Sequence, residues 1–435
     1  MPELQRWGIV ASPCKMTEIL IIALDLATLF GVAWWLYGKQ TSEVKFYYWP
    51  ALSIKLLAGL AVGWLYFFHY GGGDTITYWH DGTLLSTRLY SDPLGVLKFF
   101  WSEDMDPAAF VGLINDKPRS LFFVKISGIL ALLSGGNYWA MGLIISFVSF
   151  LGSWYLFLKT LKFFPASRVA AAISFLFYPS IVFWSSGLIK ESLGLAALFF
   201  LTGFCLTLIN HNRTMRWEWA MLLLSLWIGW NLKYYWIGVF LPVSATTVAV
   251  VILNNWRPAL KRYELILWTG LFIVSIVAAT HVHPNFYPAR FPEVICQNNR
   301  EFMAMTDLAN AVEYDDLNPS FSSILHSSPK ALVAGLFRPF LWEAHNFLSV
   351  AAGFENLILL LLALSSLPGL LQFFRSDSRV LILAVIVYIV MLAIFLALST
   401  PNFGTLARYK IGFLPFAVFL MCNQNPFIAR LKRWK

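Results

Sequence analysis

Residues 380–398, VLILAVIVYIVMLAIFLAL, contain no charged side chain, no glycine and no proline. A hydrocarbon core of about 30 Å, crossed by a helix that rises about 1.5 Å per residue, needs about 20 apolar residues. This stretch is therefore predicted to cross a membrane as one helix. Because similar runs recur along the whole chain, the sequence predicts an all-α polytopic membrane protein with about 10–11 transmembrane helices, built as a single membrane domain over residues 1–435.

The composition supports the same class. Of 435 residues, 58% are hydrophobic, 17% aromatic and only 13% charged, which is far from the balance of a water-soluble globule. The net charge of +9 does not indicate nucleic acid as a partner, since the basic residues stand in short clusters between apolar runs. The predicted spans are Ile19–Tyr37, Trp49–Phe68, Tyr138–Phe157, Val169–Trp184, Leu193–Ile209, Trp217–Trp230, Ile237–Leu253, Leu265–Ala279, Leu357–Phe374, Val380–Leu398 and Ile411–Met421.

The charges between the spans predict the topology. Short loops and the C-terminus carry the basic clusters, and the positive-inside rule assigns these to the cytoplasm. Most acids fall on the opposite side, so we expect a multi-pass protein of the cytoplasmic (inner) membrane whose chemistry is extracytoplasmic. The N-terminal tail, with Cys14, is expected outside. The clusters are Lys159, Lys162 and Arg168; Arg213 and Arg216; Arg257, Lys261 and Arg262; Arg375 and Arg379; and Arg430, Lys432, Arg433 and Lys435.

Two predicted extracytoplasmic segments are large, residues 69–137 and residues 281–355. Loops of this length usually have a function of their own. Within the first segment, residues 121–133 are apolar but barely long enough to cross, and a crossing there would place the Lys159 cluster outside. We therefore expect interfacial helices in these loops rather than additional spans.

The first large loop opens with an acidic motif, residues 69–82, HYGGGDTITYWHDG. The glycines allow a tight turn, and Asp74 and Asp81 would face one side of a helix that follows it. A carboxylate here can take the proton of an acceptor hydroxyl, or Asp74 can hold a divalent metal ion together with phosphate oxygens. The alternative is that Asp74 only caps a helix beginning at Thr75 and that Asp81 is solvated.

Candidate phosphate-binding residues lie in other predicted outer segments. In residues 179–192, PSIVFWSSGLIKES, Lys190 can bind a phosphate and Glu191 can orient it, or the two charges can neutralise each other. Arg338 and Glu343 stand in residues 338–343, RPFLWE, and Arg408 and Lys410 in residues 402–410, NFGTLARYK. Arginine can grip phosphate oxygens with two donors and lysine adds a point charge.

Together these motifs resemble the GT-C superfamily of membrane glycosyltransferases. Asp74 matches the acid of that superfamily's first outer loop, residues 117–123, KPRSLFF, resemble the start of its interfacial helix, and residues 179–191 match a later outer turn. The resemblance implies a polyprenyl-phosphate-linked sugar donor and a glycan or lipid acceptor. The segment 408–410 also resembles O-antigen-type polysaccharide polymerases, so a polymerase is one alternative and a non-enzymatic envelope transporter or flippase subunit is another.

Overall fold

The computed structural model describes residues 16–101, 112–373 and 378–423, together with residues 425, 426 and 428. Within these ranges the chain is helical without a β-strand, and an isolated β-bridge joins Ala311 and Asn402. Several charged residues of the predicted loops and of the C-terminus lie outside the described residues, as does Cys14; they are the acids Glu103, Asp104 and Asp106 of the first large loop and the basic residues Arg375, Arg430, Lys432, Arg433 and Lys435.

The described residues contain helices long and apolar enough to cross a membrane, as an all-α polytopic membrane protein requires. There are 8 of them, or up to 9 if one pair bent by 67°, Phe403–Gly412 and Leu414–Asn423, is a single span. The predicted fold class is confirmed at this level. The helices are Ile19–Gly38, Ser42–His69, Tyr138–Phe163, Lys190–Ile209, Arg216–Trp256, Pro258–Ala279, Phe347–Leu370 and Arg379–Ser399.

The number of separate spanning helices is smaller than predicted, partly because two predicted spans belong to one helix. Residues 217–230 and 237–253 both lie in Arg216–Trp256, a helix of 41 residues. Its axis would measure about 60 Å, twice the thickness of a hydrocarbon core. The helix is interrupted at Lys233, whose backbone is non-helical (φ −141°, ψ 55°).

A second difference concerns residues 169–184, where a continuous span was predicted and the structure has a broken helix. Arg168–Ala172 continues as a π-helical turn, Ile173–Phe177, and a new helix starts at Pro179. Tyr178 between them is extended (φ −67°, ψ 123°). The break follows from Pro179, because a proline disfavours the α conformation of the residue before it.

The chain's contacts divide it into two compact units. Unit 1 comprises the described residues of Met1–Ser153, Val182–Ala197 and Trp227–Lys233; unit 2 comprises those of Trp154–Ile181, Leu198–Leu226 and Tyr234–Lys435. The single membrane domain inferred from the sequence stays a prediction.

Unit 1 contains the helices of the first large loop, Asp74–Ser91, Pro93–Trp101 and Pro118–Leu133. The first and third of these approach closely, because a Cβ at Gly82 would lie 2.7 Å from the Ser127 backbone. Their buried aromatic and aliphatic side chains form a core with residues of the helices Tyr138–Phe163 and Lys190–Ile209. Pro118–Leu133 is not among the helices able to span, and its interfacial position stays a prediction.

Unit 2 contains the second large loop, with helices Arg290–Ala304 and Phe321–Phe337. Phe321–Phe337 packs tightly on Arg379–Ser399, since a Cβ at Gly335 would lie 2.5 Å from the Ala393 carbonyl oxygen.

Candidate functional site

A glycine turn joins helix Ser42–Trp64, which ends in the π-helical turn Leu65–His69, to helix Asp74–Ser91. Gly73 adopts φ 118° and ψ −175°, a conformation open essentially to glycine alone. A Cβ there would lie 2.8 Å from the Tyr66 ring. The helix begins at Asp74 with Gly73 as its N-cap residue, so the predicted helix start at Thr75, with Asp74 as the cap, is wrong by one residue.

The second part of the site is the turn of residues 185–189, all of which are buried. The close packing of this turn requires glycine at position 187 (φ 77°), because a Cβ there would lie 3.2 Å from the Gly59 carbonyl oxygen. The Gly187 amide donates to Ser146 Oγ (2.8 Å), and Lys55 donates to Ser185 Oγ. Hydrogen bonds to two neighbouring helices thus fix the turn. Lys190 follows it as the first residue of helix Lys190–Ile209.

Lys190, Asp74 and Arg119 come together in unit 1. Lys190 Nζ donates to Ser120 Oγ (3.2 Å) and lies 5.2 Å from the centroid of the Tyr78 ring. Its ammonium interacts electrostatically with the buried Lys233 and Glu191, and also with the Asp74 carboxylate and the Arg119 guanidinium. Asp74 and Lys190 are half-buried and Arg119 is exposed, so these charges form a partly accessible site beside the buried Glu191–Lys233 ion pair.

Neighbouring contacts hold this site in place. The Thr75 hydroxyl, one residue after Asp74, hydrogen-bonds the Tyr138 hydroxyl at 2.8 Å. Lys125, on the same helix as Arg119, donates to the Phe100 carbonyl oxygen (3.0 Å), and burial lowers the pKa of its ammonium. The acid and the cations of the site are therefore carried by packed helices rather than by loose loop residues.

Glu191 interacts electrostatically with its sequence neighbour Lys190, and its hydrogen-bonded partner is Lys233. It is buried and accepts a hydrogen bond of 2.7 Å from Lys233 Nζ, with side-chain exposures of 2% for Glu191 and 3% for Lys233. This ion pair forms at the interruption of helix Arg216–Trp256. Sequence reasoning could not pair residues 191 and 233, because they are separated by a complete helix and a loop.

Asp81 does not face the solvent and does not join Asp74. Its side chain is 0% exposed, and it accepts hydrogen bonds from the Ile114 amide (3.0 Å), the Asn115 amide (2.9 Å) and Asn115 Nδ2 (2.7 Å). His80 Nδ1 lies 3.0 Å from the same carboxylate. Protein donors therefore surround Asp81, so the expectation of a solvated Asp81 is wrong, and its catalytic role stays a prediction.

The two predicted cation segments of unit 2, residues 338–343 and 402–410, lie close together. Arg338 forms an ion pair with Glu343, whose carboxylate also accepts from the Phe340 amide (2.8 Å). The Arg338 guanidinium lies 4.9 Å from the Phe403 ring centroid. The Arg338 and Glu343 side chains are thus hydrogen-bonded to each other.

Lys410 is buried and donates to Asn356 Oδ1, while Asn356 Nδ2 donates to the Pro339 carbonyl oxygen (2.9 Å). The Arg408 guanidinium lies 5.3 Å from the Tyr409 ring centroid.

Glu355, which the sequence reasoning missed, belongs to this part of unit 2. It accepts from Ser180 Oγ (2.6 Å) and from the Ser180 amide (3.2 Å), and it interacts electrostatically with Lys410. A usable signal was present, because Glu355 is the single charged residue of the apolar helix Phe347–Phe373 and ionisable residues in such helices are rare.

Among the described residues, no group of three or more His, Cys, Asp or Glu side chains could hold a metal ion. A metal ion at Asp74 would need its other oxygen ligands from a substrate phosphate and water, and it stays a prediction.

No protein-family model matches this chain, and no curated protein or solved structure matches it.

Proposed function

We propose that this chain is a glycosyltransferase that moves a sugar from a polyprenyl-phosphate-linked donor to an extracytoplasmic glycan or lipid acceptor. The observation that carries the proposal is that Lys190, bonded to Ser120, interacts electrostatically with both Asp74 and Arg119 in unit 1. These residues are distant in sequence, and three separate helices bring them together. Asp74 also follows the candidate span Ser42–His69 after the short glycine turn, so a lipid-linked substrate would need only its head group to enter the site.

The reaction assigns one role to each charge. The acceptor hydroxyl attacks the anomeric carbon of the donor, a new carbon–oxygen bond forms, and the bond to the phosphate oxygen breaks. Asp74 takes the proton of the acceptor hydroxyl, while the leaving phosphate keeps the bonding electron pair. Lys190 and Arg119 stabilise the negative charge that develops on that phosphate.

Ser120 and Tyr78 support this arrangement without taking part in bond breaking. Their contacts with Lys190 Nζ limit where the ammonium can lie. A preformed cation needs little reorganisation when charge develops on the leaving group, and this is the largest single contribution in many enzymes.

The proposal is tested with the purified full-length protein in lipid nanodiscs. A set of synthetic polyprenyl-phosphate hexoses is supplied with lipid extract from the producing cells, and released polyprenyl phosphate is measured by mass spectrometry. Wild-type protein is expected to release polyprenyl phosphate and to form a glycosylated product. Donors that remain intact with every acceptor fraction would overturn the proposal.

A transporter or flippase subunit is a second candidate, favoured by the break at Tyr178 and by the buried Lys410 near Glu355. Broken helices and interior charges are typical of transporters. In sealed proteoliposomes, a transporter would move the sugar lipid between leaflets with its phosphate–sugar bond intact. A transferase would cleave that bond, so the two candidates give different products from the same donor.

A further inference from the structure

Helix Pro93–Trp101 of unit 1, here called the amphipathic helix, is held in a fixed orientation at both ends. The Asp92 side chain, directly before it, accepts a hydrogen bond of 2.9 Å from the Gly95 amide, as a capping residue does. Near the other end, Lys125 Nζ donates to the Phe100 carbonyl oxygen at 3.0 Å. The two contacts determine which face of the helix packs on the protein.

The packed and the exposed faces of the amphipathic helix are both apolar. Val96 and Phe99 are 3% and 6% exposed and belong to the hydrophobic core of unit 1. Leu94, Leu97 and Trp101 are 71%, 50% and 84% exposed. Their spacing of three and four residues places these three side chains on one side of the helix, opposite the core. Folding of the chain therefore leaves an apolar stripe uncovered.

The core beneath the amphipathic helix is shared with candidate membrane spans. The same cluster of buried side chains includes Ile145 of helix Tyr138–Phe163 and Leu232 of helix Arg216–Trp256. A core that joins side chains of spanning helices to those of a loop helix requires the loop helix to lie against the spans. The amphipathic helix is thus placed beside the membrane rather than on a part of the loop that projects away from it.

The neighbouring helix Pro118–Leu133 also runs along the ends of the spans. Ser120, in its first turn, contacts Lys190, the first residue of a candidate span. Just beyond its last turn, a Cβ at Gly135 would lie 3.3 Å from the side chain of Ile21, in the first turn of another candidate span. A helix whose two ends both meet the ends of spans lies across them. The amphipathic helix is hydrogen-bonded to this helix and shares its position.

We propose that the exposed face of the amphipathic helix inserts into the lipid leaflet beside the Asp74 site. Leucine and tryptophan are the side chains that interfacial helices place between acyl chains and head groups. Lys98 is exposed at the edge of the stripe, where its ammonium can reach the phosphates of phospholipid head groups. Phospholipid is the occupant that this position provides, because the spans that share the core are themselves surrounded by lipid.

This lipid contact does not depend on sugar transfer, but it has a consequence for the proposed function. Helix Asp74–Ser91 directly precedes the amphipathic helix, so an anchored stripe holds Asp74 near the head groups. A polyprenyl-phosphate donor presents its phosphate at that depth. The consequence for donor binding rests on the proposed transferase function.

The lipid contact is tested by electron paramagnetic resonance. The full-length protein, with its four cysteines changed to serine, carries a nitroxide label at Leu97→Cys or Trp101→Cys in nanodiscs of phosphatidylethanolamine and phosphatidylglycerol. Power saturation compares collisions with oxygen, which concentrates in lipid, and with a water-soluble nickel chelate. We expect both labels to favour oxygen by about threefold or more relative to a label at Thr87→Cys, an exposed polar position of the preceding helix.

Two results would overturn the proposal. Labels at Leu97→Cys and Trp101→Cys that favour the nickel chelate as strongly as the Thr87→Cys label would show that the stripe faces water. Labels that collide little with either reagent would show that protein covers the stripe. Thermal unfolding of each labelled variant in detergent confirms that the fold is intact, since all three positions are exposed.

Sugar transfer then separates the lipid contact from the proposed function. We expect Leu97→Asp to raise the KM for a long-chain polyprenyl-phosphate donor about fivefold and to leave kcat nearly unchanged, because a carboxylate is costly in lipid. Leu97→Met is the matched control and should resemble wild type. If the labels report lipid but wild-type protein transfers no sugar, the proposed function fails and the lipid contact stands. If sugar is transferred while the labels favour the chelate, the lipid contact fails alone.

Discussion

Asp74 and Asp81 lie on one helix, and their surroundings give them different roles. Asp74 is half-buried next to Lys190, so its carboxylate can meet a substrate beside a cation. Asp81 is fully buried and bonded to the backbone of residues 114 and 115. Their spacing in the sequence suggested two cooperating acids, but Asp81 is enclosed by protein donors while the proposed catalytic role falls on the more accessible Asp74.

At this scale we predict that Lys190→Gln lowers sugar transfer about 100-fold, because removal of one preorganised electrostatic group costs about that much in well-studied enzymes. Lys190→Arg should retain part of the activity, since the positive charge stays. The measurement is release of polyprenyl phosphate by protein of verified folding. Lys330→Gln is the matched control, because Lys330 is 52% exposed and only weakly paired with Asp315 at 3.9 Å. Full activity of Lys190→Gln would contradict the assignment.

Asp81→Asn is predicted to act on stability. The neutral amide would place donor hydrogens opposite backbone amides inside a buried site, at a cost of about 1–3 kcal/mol. Thermal unfolding in detergent should show a lower midpoint than wild type, while the exposed acid change Asp315→Asn should leave the midpoint unchanged. An unshifted midpoint for Asp81→Asn would show that these hydrogen bonds are not important for the fold.

At the scale of elements, the glycine turn is the feature that places Asp74. Gly73 needs its positive φ and a Cβ would meet the Tyr66 ring at 2.8 Å, whereas a Cβ at Gly72 meets nothing within 4 Å. We predict that Gly73→Ala destabilises the protein by about 1–3 kcal/mol and lowers transfer, because the helix start must shift. Gly72→Ala is the matched control and should resemble wild type in both thermal unfolding and transfer. Equal stability and transfer in the two variants would show that the conformation of Gly73 does not determine the position of Asp74.

The interruption at Lys233 is predicted to depend on its ion pair with Glu191. Removal of one partner of a buried pair usually costs about 3–5 kcal/mol, whereas replacement of both by apolar residues costs much less. Lys233→Met and Glu191→Leu should each lower the midpoint of thermal unfolding strongly, and the double variant should recover most of that loss. A double variant as unstable as the sum of the single variants would mean that the two charges act independently.

The sequence predicted these elements unevenly, for physical reasons. Apolar runs such as residues 380–398 identify a membrane helix without knowledge of its neighbours, because the bilayer demands the same property of every residue. Pro179 is a sequence signal for the helix break at Tyr178, but the continuous apolar run favoured an unbroken span. The pairing of Glu191 with Lys233 and the enclosure of Asp81 depend on residues distant in sequence, which no local pattern reveals.

For the whole molecule, the charge pattern predicts which loops face each side of the membrane. In a variant with Cys14, Cys205, Cys296 and Cys422 changed to serine, Asp315→Cys should react with a membrane-impermeant maleimide in intact cells. Lys261→Cys should react only after the membrane is permeabilised, since basic loops stay in the cytoplasm. Labelling of Lys261→Cys in intact cells would show that the predicted topology is reversed, and the proposed site would then face the cytoplasm.

Mass spectrometry of envelope glycans and polyprenyl-linked intermediates tests the proposed sugar transfer at Asp74 most directly. It compares cells that carry wild-type protein, no protein, Asp74→Asn or the exposed control Asp315→Asn, with equal membrane levels of each variant. We predict that deletion and Asp74→Asn remove the same single sugar and accumulate its polyprenyl-linked donor, while Asp315→Asn matches wild type. Single repeat units in place of long chains would indicate a polymerase instead, and a wild-type profile for Asp74→Asn would contradict the assignment of this site.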